Sequence, residues 1–151
     1  MQGISPFLWF NNQAEEAAKF YTSIFKNSKI KQVSYYGEGA PMPKGTVMVV
    51  SFELNGQTFL ALNGGPQFKF TEAISFVVNC EDQEEVDYFW DKLSAGGQII
   101  QCGWLKDKYG LAWQIVPTVL GKLMSDSTRG GRVMAALMKM TKIDIKALEE
   151  A

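Results

Sequence analysis

The chain has 151 residues, with 15 lysines and arginines against 16 aspartates and glutamates, a net charge of −1 and no histidine. That balance excludes the basic face that phosphate neutralisation requires, so nucleic acid is not an expected partner. The missing histidine removes a common metal ligand, the one side chain that titrates near neutrality without perturbation, and every serine or cysteine triad built on an imidazole base.

The length suits a single domain over residues 1–151, since halves of about 70 residues would each be marginal unless they shared a core. The opening MQGISPFLWF lacks the basic start and long apolar run of a secretory signal. No stretch reaches the roughly 18 apolar residues of a membrane span, so a soluble, cytoplasmic protein without membrane contact is expected. Cys80 and Cys102 form no CxxC pattern and read as two reduced thiols.

In chain order, ISPFLWF (4–10) is short, aromatic and β-prone. Asn12 with Glu15 resembles a capping box, and Ala14, Ala17, Ala18, Tyr21, Ile24 and Phe25 recur at helical spacing, so the pattern predicts a helix over 13–26. Strands follow at 31–36, 46–54 and 57–63, with a glycine- and proline-rich loop before the second and a tight Asn55-Gly56 turn before the third. The next strand is EAISFVVN (72–79), and Asp82 with Glu85 opens a helix over 82–95 whose apolar stripe is Val86, Phe89, Trp90 and Leu93. Shorter strands are predicted at 98–101, 103–107 and 111–117, then about two helices at 118–125 and 129–141, the second basic and rich in methionine. That stretch reads as a surface or dimer-contact helix.

The two halves repeat one design, βαβββ. Residues 75–93 match 6–24 at an offset of 69, through Phe7/Phe76, Glu16/Glu85, Phe20/Phe89 and Ile24/Leu93; residues 107–117 match 53–63 at an offset of 54, through Glu53/Asp107, Gly56/Gly110 and Phe59/Trp113. Module one therefore covers 1–66, module two 67–117 and a helical tail 118–151. The expected fold class is α+β, two tandem βαβββ modules forming curved, mostly antiparallel sheets.

These paired modules, the segments PFLWFNNQAEEAAKFYTSIF and CGWLKDKYGLAWQIVP, and the tail MTKIDIKALEEA resemble the PhnB-like branch of the vicinal oxygen chelate superfamily. That branch is often called the 3-demethylubiquinone-9 3-methyltransferase domain, and its wider superfamily holds glyoxalase I, extradiol dioxygenases and the bleomycin- and fosfomycin-resistance proteins. The resemblance implies the glyoxalase/bleomycin-resistance fold, and in the members that catalyse, a divalent metal held by histidine or glutamate from the first and fourth strands of each module. Aligning AISF and DKYGLAWQ with the ligand-bearing motifs and applying the two offsets puts Ile4, Leu60, Ala73 and Gln114 at those positions. Three of these have no donor atom and the fourth has a neutral amide, so no transition metal and no cofactor is expected. The methyltransferase name also meets an objection, because no strand runs through a G-x-G turn into a helix.

Strand alternation sorts the remaining side chains. Pro6, Leu8, Thr58, Leu62, Ser75, Val77, Ala112 and Val116 share phase with the four positions and would line a mainly apolar cup, whereas Phe7, Trp9, Phe59, Ile74, Phe76, Trp113 and Ile115 would pack under the helices. Gln114, Ser75 and Thr58 are the sparse polar points of that cup; Trp104 and Lys106 would project at its rim, and Asn63 would either set a turn or reach a ligand. This suits a small, partly apolar ligand. A metal-free binding module, an enzyme acting on a small oxygenated metabolite, and a structural dimer all remain open. A homodimer is expected, because exposed sheet edges need covering.

Overall fold

A computed structural model of the protein describes residues 3–151. The chain divides into two compact units with the boundary between Lys69 and Phe70. The first contains β1 (Phe7–Phe10), α1 (Ala14–Ile24), β2 (Lys29–Tyr35), β3 (Val47–Leu54) and β4 (Gln57–Asn63). Its four-stranded sheet has the order β1-β4-β3-β2, parallel between β1 and β4 and antiparallel elsewhere. The β3–β4 hairpin is tight because Asn55 and Gly56 both accept positive φ, 51° and 82°. One face of α1 is buried through Ala14, Ala17, Ala18, Tyr21 and Ile24, against Val50, Phe52, Phe59 and Ala61 of the sheet. Three alanines on that face let the helix approach closely.

The predicted Asn12/Glu15 capping box does not form. Gln13 is the N-cap residue and makes no side-chain cap bond; instead the Ala14 N–H donates to Asn63 Oδ1 at 2.8 Å. A side chain at the end of β4 thus satisfies one of the helix's orphan donors.

The second unit contains β5 (Ser75–Cys80), α2 (Gln83–Ser94), β6 (Gln98–Ile99), β7 (Trp104–Lys106) and β8 (Ala112–Pro117). Its order β5-β8-β7-β6 repeats the first sheet. The predicted cap is present here: Asp82 Oδ1 accepts from the Glu85 N–H at 2.9 Å, and Glu85 Oε1 accepts from the Glu81 N–H at 3.3 Å. Val86, Trp90 and Leu93 of α2 are buried, as are Leu105, Trp113 and Ile115 of the strands.

Three helices complete this unit: α3 (Val119–Met124), α4 (Gly130–Leu137) and α5 (Ile145–Glu149). They have a core of their own in Leu123, Val133, Leu137, Ile143 and Leu148. Gln83 of α2 ties that core down, donating to Ile143 O at 3.0 Å and accepting from Ile145 N at 2.8 Å. The Cys102 and Gly103 N–H groups donate to Met140 O and Thr141 O, each at 2.8 Å. The tail holds a third helix beyond the two expected, and Val133 and Leu137 of α4 pack inward while Met134 and Met138 stay exposed, 42% and 58%.

The repeat also needs correction. Helices α1 and α2 do match at 69, because Ala17, Tyr21 and Ile24 are buried like Val86, Trp90 and Leu93. Leu60 on β4 pairs with Phe7 on β1, however, whereas Gln114 on β8 pairs with Val77 on β5. With β4 and β8 matched at 54, the first strands correspond at 70. The mark in the sequence is the dipeptide Ile4-Ser5, repeated at Ile74-Ser75. One residue fewer between strand and helix in the second module restores the helices to 69. Consequently the phase predicted for β1 is inverted. Leu8 and Phe10 are buried, while Phe7 is 53% exposed. Phase on β4, β5 and β8 agrees with the sequence reading.

Candidate functional site

In the second unit the sheet face opposite α2 carries an ordered array of side chains. Antiparallel pairing of β7 with β8 sets Trp104 beside Gln114 and Lys106 beside Ala112, while parallel pairing of β5 with β8 sets Val77 beside Gln114 and Ser75 beside Ala112. Directly paired residues share a face, so Val77, Gln114 and Trp104 form one row and Ser75, Ala112 and Lys106 the next. Four of the residues singled out from the sequence, Gln114, Ser75, Trp104 and Lys106, therefore come together.

Their polar groups are arranged as follows. Gln114 Nε2 donates to Ser75 Oγ at 2.9 Å. Gln114 Oε1, the Ser75 hydroxyl hydrogen and the Trp104 indole N–H make no hydrogen bond to the described residues. Gln114, Ser75, Trp104 and Lys106 are all partly buried. Lys106 Nζ is in ion-pair contact with Glu72 Oε1, so the ammonium is neutralised beside the array. Val77 is 49% exposed and supplies the apolar neighbour.

The other two candidates lie in the first unit. Thr58 is on β4 opposite Glu53 and, with Leu60 and Leu62, belongs to the face turned away from α1. Asn63 does not. It is 4% exposed, accepts from the Ala14 N–H, and donates through Nδ2 to Val47 O at 3.1 Å. Its role is to seat α1 on the sheet, so it leaves the list of ligand-contacting residues.

Asp107 and Trp113, which matched Glu53 and Phe59 in the repeat, are structural as well. Asp107 is 3% exposed and accepts from Tyr109 N, Leu111 N and Trp113 Nε1 at 2.9, 3.1 and 2.9 Å. These bonds shape the β7–β8 turn and fix the strand that presents Gln114.

Of the four positions aligned with metal ligands, Leu60 and Gln114 are on fourth strands, but Ile4 and Ala73 precede β1 and β5 and are exposed. The first-strand residue hydrogen-bonded to Gln114 is Ser75, whose counterpart at an offset of 70 is Ser5. Serine hydroxyls, a leucine and a neutral amide do not suit zinc, iron or nickel. Among the described residues no three of Cys, Asp and Glu come together in a group that could hold a metal ion. The donor set does not fit the metal that the resemblance implies. Neither strand-to-helix turn provides the glycine-rich cradle of a nucleotide-type cofactor: β1 enters α1 through Asn11-Asn12-Gln13 and β5 enters α2 through Glu81-Asp82. No helix among the described residues is long and apolar enough to cross a membrane.

Comparison with known proteins bears on this geometry. Residues 2–116 match the profile of the family called 3-demethylubiquinone-9 3-methyltransferase. A PhnB protein from Bacillus cereus that carries the same methyltransferase name is 41% identical, with a TM-score of 0.71 over 78% of this chain and 100% of that one. A protein from Pseudomonas aeruginosa is 19% identical, with a TM-score of 0.64 over 78% of this chain and 98% of its own. A genomically encoded fosfomycin resistance protein from Listeria monocytogenes is 15% identical, with a TM-score of 0.54 over 81% and 98%. The last two share the fold alone. No curated protein matches the chain. With its profile match across both βαβββ modules and its 41% identity to the B. cereus protein, the chain belongs to the PhnB-like family, the one called 3-demethylubiquinone-9 3-methyltransferase.

Proposed function

We propose that this PhnB-like protein binds a small, partly apolar molecule on the uncovered face of its second sheet, without a transition metal. The observation that carries this reading is the Gln114–Ser75 pair. Ser75 meets only part of the amide's hydrogen-bonding capacity, Val77 and Trp104 are its cross-strand neighbours, and since no buried side-chain polar atom among the described residues lacks a partner, the amide oxygen is open to water that a ligand can replace. A few convergent polar groups on an apolar wall are what small-molecule sites offer.

The test is to extract and identify the small molecules carried by tag-free protein, then to titrate the identified compound into wild type and Gln114→Leu. Loss of binding with unchanged or slightly raised stability supports the reading. Retained binding together with a melting temperature lowered by several degrees would assign Gln114 a structural role only. The family name and the Lys106–Glu72 pair beside Ser75 support a second reading, an enzyme acting on a small metabolite. Conversion of the extracted compound by wild type but not by Lys106→Met would favour it.

A further inference from the structure

From the charge balance and hydrogen-bonding pattern of the second sheet's uncovered face, we infer that its ligand is an uncharged planar molecule with an amide-like edge, such as a lactam or imide on an aromatic ring. The inference rests on the proposal that this face is a ligand site, and adds the ligand's chemical class.

Three observations carry it. First, the face presents both hydrogen-bonding senses. Gln114 Oε1 is an acceptor, while the second Nε2 hydrogen and the Ser75 hydroxyl are donors. A group that offers a donor and an acceptor side by side satisfies this set; a carboxylate, which only accepts, would set its negative oxygens against Gln114 Oε1. Second, the Lys106 cation is held by Glu72. An anion would find no uncompensated positive charge at this array, and a cation no uncompensated carboxylate. Third, Trp104 is the cross-strand partner of Gln114, which places an indole next to the amide. A ring hydrogen-bonded to Gln114 would thus have an aromatic neighbour, whose preferred offset or edge contacts suit a flat partner.

Isoquinolone, its N-methyl derivative and naphthalene carboxylate are similar in size and aromatic area, and differ in the edge they present. Titrated into the 15N-labelled full chain, isoquinolone should shift the amide signals of Val77, Trp104 and Gln114. It should bind at least about tenfold more tightly than either analogue, as expected when a site's hydrogen bonds are left unmade. Gln114→Leu should weaken isoquinolone by at least about tenfold and the N-methyl compound, which lacks the N–H that Gln114 Oε1 accepts, by less. Glu72→Gln should raise the affinity of the carboxylate several-fold by freeing Lys106, and leave isoquinolone unchanged. Equal binding of isoquinolone and its N-methyl derivative, or preference for the carboxylate by wild type, would refute the amide class while leaving the face as a ligand site. If none of the three probes shifts these signals, both the class and the site are overturned.

Discussion

Replacing Asn63 with alanine should damage the fold of the first unit far more than its place at the strand-to-turn junction suggests. The side chain makes two bonds to separate elements: Oδ1 accepts from Ala14 N–H at 2.8 Å, and Nδ2 donates to Val47 O at 3.1 Å. Ala14 is fully buried, so its N–H would lose its partner with little access to water. An orphaned buried donor costs about 1–3 kcal/mol, and the second bond adds about 0.5–1.5 kcal/mol. The expected loss is therefore about 1.5–4.5 kcal/mol. At about 2–4 °C per kcal/mol for a protein of this size, melting should fall by about 3–18 °C. Urea unfolding followed by circular dichroism measures the free energy, and titration with any ligand of the second unit should give an unchanged affinity. A loss below about 0.5 kcal/mol would show that water or a neighbouring group satisfies Ala14, and would refute the assignment of Asn63 as the helix's long-range cap.

Other outcomes follow from the same geometry. Gly97→Ala should destabilise strongly, because a Cβ there would lie 2.1 Å from Lys106 O; near-wild-type melting would contradict the close approach of the α2–β6 turn to the end of β7. Burial, and then the nearby carboxylates Glu85, Asp82 and Glu81, push the Cys80 thiol from its ordinary 9.0 up to about 12. Its contribution to stability should be present below pH 9 and fade as pH rises toward 12, since the unfolded thiol ionises first. Cys80→Ala should remove that component of the alkaline stability loss, and an identical alkaline profile would count against it. We also expect a homodimer, because both sheets have edge strands and large apolar side chains such as Phe7 and Phe68 are exposed. A concentration-independent monomer mass in sedimentation would exclude it.

How much of this was legible in the sequence depends on the kind of signal. The order βαβββ twice over was legible because helical and strand periodicities alternate cleanly around strong punctuation, Asn55-Gly56 and Gly96-Gly97. The β4 strand falls on its predicted limits, 57–63. The phase of β1 was not legible from the helix match, because a single residue gained or lost between strand and helix inverts every side chain of a strand. The repeated Ile-Ser dipeptide was the available correction. Asn63 was ambiguous because turn-forming and helix-capping asparagines look alike until a distant segment, Ala14, is brought to them. The tail's inward packing depends on Gln83, more than 50 residues away from Ile143, and local pattern cannot report such a tie. Gathering Gln114, Ser75, Trp104 and Lys106 on one face was within reach, since it needs only alternation and the register of three strands.

Gln114 and its neighbours are proposed to hold an organic molecule on the uncovered face of the second sheet. Native mass spectrometry of the tag-free protein, run beside Gln114→Leu under conditions that retain both metals and ligands, tests this most directly. The wild-type protein should carry an organic mass increment that is absent from the variant, with no stoichiometric zinc, iron or nickel on either. A stoichiometric transition-metal increment, or an organic increment that survives Gln114→Leu, would contradict the proposal.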